Sequence, residues 1–259
     1  DVYAQMRELT TANPPITIRS GKVPAGVWGY AGDSGVMIDE GAFRDVLKDF
    51  NDGKIAFGLV HEMGHCFDGR DKPRWYISPH SGGEEMANLK LSFAFDRLLR
   101  SDNAYRIVFG PGGKQTGWDY NNHYFVPAGA KYLADSSRPW TDMTSDELHA
   151  FHLGLARTYG WDLLKKWFRA YPVLESFGFW APDSTDDPQR MILQCAIFEH
   201  YAKADLMPLF EKWRLPVTRA DLEAATTRYR LKEVFERVDA QYTAEVRRGT
   251  IRIDRLPRK

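Results

Sequence analysis

An apolar run interrupted by ionisable groups at helical spacing constrains this chain more than any other feature. Phe57 to Asp68 reads FGLVHEMGHCFD, with His61 and His65 four positions apart and Glu62 between them. Ile55, Phe57, Leu59, Val60, Met63 and Phe67 surround these groups with apolar side chains, so the helix is expected to be buried. A buried helix needs a reason to carry His, Glu and His, because an unpaired buried polar group costs about 1–3 kcal/mol. Gly64 adds to the oddity, since Gly inside a helix costs roughly 1 kcal/mol against Ala. It reads either as a point of close backbone or ligand approach or as simple helix packing.

Residues i and i+4 share one helix face. His61 and His65 can therefore aim two ring nitrogens at one ion. Glu62 stands one step round the helix, close enough to act on a water without binding the ion. Hydrolytic zinc sites use three protein ligands and leave a position for water or substrate, which gives the H-E-x-x-H spacing a mechanical reason. The third ligand sets the class. A histidine six positions after His65 is excluded, because Asp71 stands there. An Asp variant of that arrangement wants Gly at position 68, and this chain has Asp68 followed by Gly69.

A second helix offers another answer in SGGEEMANLKLSFAFDRL. Glu84 lies 19 positions after His65, enough for a loop to return a new helix to the ion. Asn88 follows one turn later on the same face and can orient a ligating ring by a hydrogen bond. Glu85 competes with Glu84, but its neighbour at i+4 is Leu89, which offers no such bond. The sequence favours Glu84.

The rest of the 259-residue chain suits a mostly helical α+β protein. Residues 1–40 read as short extended pieces broken by turns. GAFRDVLKDF is amphipathic, and the motif helix is expected over residues 54–68. Residues 84–100 form a strong helix, and 101–140 read as loop-rich. Beyond that the pattern is helical: Thr144 and Glu147 make a capping box, Gly160 ends that helix, and WDLLKKWFRAY follows, ended by Pro172. Further helices are expected over 187–203, 206–213, 219–228 and 231–242. The basic tail reads as a solvated end with one strand at TIRI. This organisation divides the chain into a lobe of residues 1–140, carrying both site helices, and a helical C-terminal lobe of residues 141–259, within one catalytic domain.

Composition excludes some partners. Lys+Arg and Asp+Glu both number 35, so charge gives no reason to expect nucleic acid. No apolar run approaches the roughly 20 residues of a membrane span. Cys66 and Cys195 are too few for a disulfide framework and read as buried thiols. The chain opens DVYAQMRELT without a signal-peptide pattern, as a mature form or an excised domain would. Tyr120, His123, Tyr124, His200 and Tyr201 are options for a transition-state donor, each with a structural role as the simpler reading. Trp75, Trp118 and Trp140 fall in loops where they could stack on sugar or peptide, whereas Trp161, Trp167 and Trp213 sit at helical spacing, as core residues do.

With these residues in place, the chain resembles the enhancin-like zinc metallopeptidases, gluzincins that include viral enhancins and bacterial mucin-degrading peptidases. GKIAFGLVHEMGH, GEEMANL, YGWDLLKKWFRAY and DLMPLFEKWRLPVT carry the resemblance, which extends over residues 23–218. It implies a zincin-like fold, one zinc ion on His61, His65 and Glu84, Glu62 as general base, and extracellular or cell-surface cleavage of O-glycosylated, mucin-like proteins with glycan contacts. A general endopeptidase or aminopeptidase without glycan dependence is the alternative. A non-catalytic glycan- or protein-binding module on the same fold is another. The family's usual polar residues after the second His are replaced here by CFDGRD, so substrate preference is expected to differ there.

Overall fold

A computed structural model describes residues 1–32, 35–68, 83–98, 106–108 (backbone alone), 120–181 and 187–253. The molecule is mostly helical, with a small three-stranded sheet at its N-terminal side. It opens with helix α1 (Val2–Thr10), where extended backbone was expected. Met6 and Leu9 are fully buried and three positions apart, so tertiary burial selects the helix over the β-rich composition that follows.

Strands β1 (Thr17–Gly21), β2 (Gly29–Gly32) and β3 (Gly35–Asp39) form a sheet in the order β1-β3-β2. β1 runs parallel to β3, and β2 runs antiparallel to it with Ala31 opposite Val36. β2 is thus an edge strand. Helix α2 (Glu40–Asn51) starts at Asp39, whose carboxylate accepts from the N–H groups of Gly41 (2.9 Å) and Ala42 (3.3 Å). Gly53 closes it at φ 70°, a left-handed value that suits Gly.

Residues Lys54–Ala56, read in sequence as the first turn of the motif helix, instead form strand β4. They pair in parallel with β5 (Arg106–Val108). Helix α3 (Phe57–Cys66) therefore begins directly after a strand. It packs beneath β2 and β3, and a small core of Val36, Ile38, Val46, Ala56 and Leu59 joins sheet, α2 and α3.

Helix α4 (Glu84–Leu98) is the pillar of the molecule: every residue from Glu85 to Asp96 is buried. It packs against α1, against α3, and against the helix that opens at Thr144. The described residues between 120 and 140 are less loop-rich than expected. They contain a π-helical turn at Asn121–Phe125 and helix α5 (Val126–Ala134). Trp140 stands in a short 3-10 turn and packs partly buried against the main core.

The capping box forms: Thr144 Oγ1 accepts from the Glu147 N–H, and the Glu147 carboxylate accepts from the Thr144 N–H at 2.8 Å. It starts α6 (Ser145–Tyr159), and Gly160 at φ 92° ends it. Helix α7 (Trp161–Ser176) continues through Pro172 rather than stopping there. The burial of Tyr171, Val173 and Leu174 against the main core outweighs the loss of one N–H. The remaining helices are α8 (Asp187–Ala202), α9 (Met207–Lys212), α10 (Arg219–Arg228) and α11 (Leu231–Arg247). No strand forms at Thr250–Ile253. One continuous core runs from α1 and α4 through α11 and includes Trp161, Trp167 and Trp213. Among the described residues, no helix is long and apolar enough to cross a membrane.

Candidate metal centre

Two helices meet where the sequence places its ionisable groups. Gly64 makes the approach possible: a Cβ there would lie 2.8 Å from the Ala87 carbonyl oxygen of α4. Of its two sequence readings, close backbone approach is the one realised. Gly83, at φ +107°, turns the chain into α4, and a Cβ on it would lie 3.8 Å from His65 Nδ1. A residue with a side chain is strained at that φ, so Gly83 fixes the entry of Glu84.

His61, His65 and Glu84 converge. Their ligand atoms lie within 4.8 Å of one another, and among the described residues this is the group of His, Cys, Asp or Glu side chains placed to hold a metal ion. The two Nε2 atoms are 3.2 Å apart. The Glu84 oxygens lie 2.9 Å from His61 Nε2 and 3.4 Å from His65 Nε2. A tetrahedral zinc with ligands at about 2.0–2.1 Å needs ligand atoms about 3.3–3.4 Å apart; the 3.2 and 3.4 Å separations come near that, and the 2.9 Å one is a hydrogen-bond distance. Glu85, the rival acid, points the other way. It is buried and touches His152 Nδ1 of α6.

A hydrogen bond turns Nε2 of the His61 ring inward, and a longer electrostatic contact faces Nδ1 of His65. His61 Nδ1 donates to Asn88 Oδ1 at 2.8 Å, the role read for Asn88 from its place on the helix face. His65 Nδ1 lies 3.8 Å from Asp68 Oδ2. A neutral imidazole with Nδ1 protonated has a lone pair at Nε2. Two such lone pairs and a carboxylate aimed at one point favour a cation there. The three groups also attract one another directly. Burial opposes charge on His65, yet Asp68 and Glu84 outweigh it and push the ring up to about 9. Hydrogen bonds from His61 and His65 hold Glu84 far below the usual carboxylate range.

Glu62 lies on the same helix and does not belong to the converging triad. Burial raises its pKa, and the neighbouring histidines offset part of that rise. The Ala31 backbone N–H of β2 faces this carboxylate and also offsets part of the rise. Strand pairing sets that direction. The Asp39 N–H donates to the Trp28 carbonyl, so by alternation Ala31 and Gly29 turn their backbone groups away from β3 and toward the open edge.

The proposed donors separate. Tyr120 is buried and packs on Phe57, which stacks on the His61 ring. Tyr124 is exposed, stacks on Tyr120, and interacts with Asp146 at the start of α6. Asp146 itself lies within electrostatic reach of His61. His123 stands in the same π-helical turn. His200 and Tyr201 pack instead on Phe235 of α11. Cys66 and Cys195 are free thiols. Burial and the acids Glu62 and Asp68 push the Cys66 thiol up to about 11, which keeps it protonated at neutral pH. Asp71, Trp75 and Trp118 lie outside the described residues.

Two participants escaped the sequence reading. Asp68 and Lys90 form an ion pair beside His65, with the Lys90 side chain fully buried. A lysine within the apolar run MANLKLSFAF was the available signal.

No family model matches the chain, and no curated protein matches it. A crystal structure of a functionally unknown conserved protein from Bacillus anthracis str. Ames is similar, with 17% identity and a TM-score of 0.55 over 87% of this chain and 43% of that one. A mutant of a functionally unknown conserved protein from the same strain gives 16% identity and a TM-score of 0.54, again over 87% of this chain and 43% of that one. The chain thus spans less than half the length of these two structures, and at such identity the likeness is one of fold alone.

Proposed function

We propose that this chain is a zinc-dependent endopeptidase of the enhancin-like gluzincin type, with a zincin-like fold and O-glycosylated, mucin-like proteins as its substrates. One observation carries the reading: His61 Nε2, His65 Nε2 and a Glu84 oxygen from a second helix share one focus, with each ring's Nδ1 turned to a partner outside it. His61, His65 and Glu84 would hold the ion. When bound, zinc supplies Lewis acidity toward a carbonyl and acidifies water.

The chain's own groups supply the rest. Glu62 takes a proton from the attacking water and returns it to the leaving amine. Its raised pKa brings it nearer the pH at which both transfers are effective. Among the described residues β2 is an edge strand that turns the backbone groups of Gly29 and Ala31 outward beside Glu62, and an extended peptide can add to such an edge as a further strand. Glu84 is half exposed, so the focus is open to a substrate from the solvent side. Tyr124, with Asp146 beside it, is an exposed hydroxyl linked to this arrangement through the Phe57–Tyr120 stack. The four sequence segments that resemble the enhancin-like family support the mucin-type substrate.

Cleavage of an O-glycosylated protein, before and after enzymatic removal of its glycans, tests the proposal. Loss of cleavage on deglycosylation supports the full reading. Equal cleavage leaves a zinc peptidase without glycan dependence. Binding without cleavage, in protein shown to contain zinc, overturns the enzymatic reading.

A further inference from the structure

Helix α4 contributes more to the focus than Glu84. Asn88, one turn on, accepts directly from His61. Lys90, two residues later, reaches the other ring indirectly. Its ammonium pairs with Asp68 Oδ1, and Asp68 Oδ2 faces His65 Nδ1. Asp68 directly follows the last turn of α3, and its backbone N–H donates to the His65 carbonyl at 3.0 Å. Asp68 is thus tied through its backbone to the histidine's own turn and through its carboxylate to α4.

Stability alone is a poor reason for this pair. Lys90 is fully buried, between Leu89 and Leu91. A buried ion pair must recover the desolvation of both charges, and well-packed apolar residues of similar size often serve as well or better. What an apolar pair cannot do is hold a carboxylate against a ring nitrogen. Outer partners of that kind fix ring orientation and raise the basicity of the ligating nitrogen.

We infer that Asp68, clamped by Lys90, is the positioning residue for His65, so that one helix sets the carboxylate ligand and the orientation of both imidazoles. This rests on the metal-site reading above. A shift of α4 along its axis would then disturb all three ligands together.

Zinc affinity, measured by competition with a chromophoric chelator, and melting of the metal-free protein test it. Asp68→Asn is expected to weaken zinc binding about 10–100-fold, with Asp68→Glu recovering part of the loss. The double variant Asp68→Asn/Lys90→Met removes both charges and is expected to melt near the wild-type temperature without zinc. It should still bind zinc as weakly as Asp68→Asn. A strut role predicts otherwise: if both variants bind zinc within about twofold of wild type, whatever their melting temperatures, the inference is overturned while the metal site stands. If the wild-type protein binds no zinc, or His61→Ala binds it as well as wild type, the site reading falls and the inference falls with it.

Discussion

Two ionic clusters lie toward opposite ends of helix α4, and they are built on opposite principles. At the α1–α7 junction, Glu8 Oε1 accepts from Arg97 Nη1 (2.7 Å), Lys165 Nζ (2.9 Å) and the Arg252 N–H (2.9 Å). Three donors meet one acceptor. At the α3–α4 junction, two ring nitrogens and a carboxylate meet with their acceptor atoms inward. The first arrangement satisfies itself with groups from the chain and can serve only to hold elements together. The second gathers three potential ligand atoms around one focus. Burial also differs: Lys165 is fully buried, whereas Glu84 is half exposed. Charged groups that close on themselves indicate architecture, and charged groups that point at a shared focus open to solvent indicate chemistry.

The sharpest way to separate the clusters is to remove one group from each. Glu62→Gln, next to the focus, is expected to keep zinc and lose about 10²–10⁴-fold in turnover, the usual span of a general acid–base group. Peptide hydrolysis and zinc content measured on the same preparation check this, and undiminished turnover would falsify the assignment of Glu62. Glu8→Ala should do the reverse. It leaves Lys165 buried beside one acceptor fewer, a change that costs about 3–5 kcal/mol when a buried pair is broken. Denaturant unfolding of the metal-free protein measures that cost, and zinc affinity should be preserved in the protein that remains folded.

Acid gives the same contrast a sign. Burial pushes the Glu8 carboxyl up, but the Arg252 N–H, Lys165 and Arg97 together hold it below its ordinary 4.5. A depressed folded value stabilises above the unfolded pKa and ceases to do so as pH falls through the folded one. The stability gap between wild type and Glu8→Ala should therefore be widest near neutrality and narrow below about pH 4.5. A gap constant down to pH 3 would show that Glu8 acts through packing rather than charge.

How far each cluster was legible follows from its contacts. The focus was readable because its members obey helix periodicity: His61 and His65 are one turn apart, as are Glu84 and Asn88, and a single loop return brings the pairs together. Asp68 was read as a departure from a motif and Lys90 was passed over, because their meeting depends on the register between α3 and α4. The Glu8 cluster was invisible, since residues 8, 97, 165 and 252 are far apart in sequence. The fold follows the same rule. Capping at Thr144 and Gly160 is local chemistry and was read correctly. Lys54–Ala56 became a strand through pairing with residues 106–108, which no local pattern announces. α1 and the passage of α7 through Pro172 likewise depend on burial against distant helices.

Gly64 links the clusters' common helix to the focus. An added methyl at position 64 would stand 2.8 Å from the Ala87 carbonyl oxygen and 3.0 Å from its Cα. These are backbone atoms within a helix and yield little. Gly64→Ala should push α3 from α4 at a cost of about 1–3 kcal/mol, as overpacking does. Because His65 is the next residue, zinc affinity should fall as well. Chelator competition and thermal melting are expected to change together, unlike in Glu62→Gln or Glu8→Ala.

The smallest expected effect is the most discriminating. Thr144→Ala removes the side-chain acceptor of the Glu147 N–H at the start of α6, a loss worth about 1 kcal/mol. For a domain of this size that is roughly 2–4 °C in melting temperature. Glu147 would retain its two contacts to Arg138, so fraying should stop within the first turn. That turn holds Asp146, the partner of Tyr124, but none of the three converging groups. Zinc affinity should therefore stay at the wild-type value while the melting temperature drops. Turnover then separates two roles for Tyr124. A fall of tenfold or more in Thr144→Ala, with zinc unchanged, would mark the Tyr124–Asp146 contact as part of the chemistry. Unchanged turnover would place it with the architecture, alongside the Glu8 cluster.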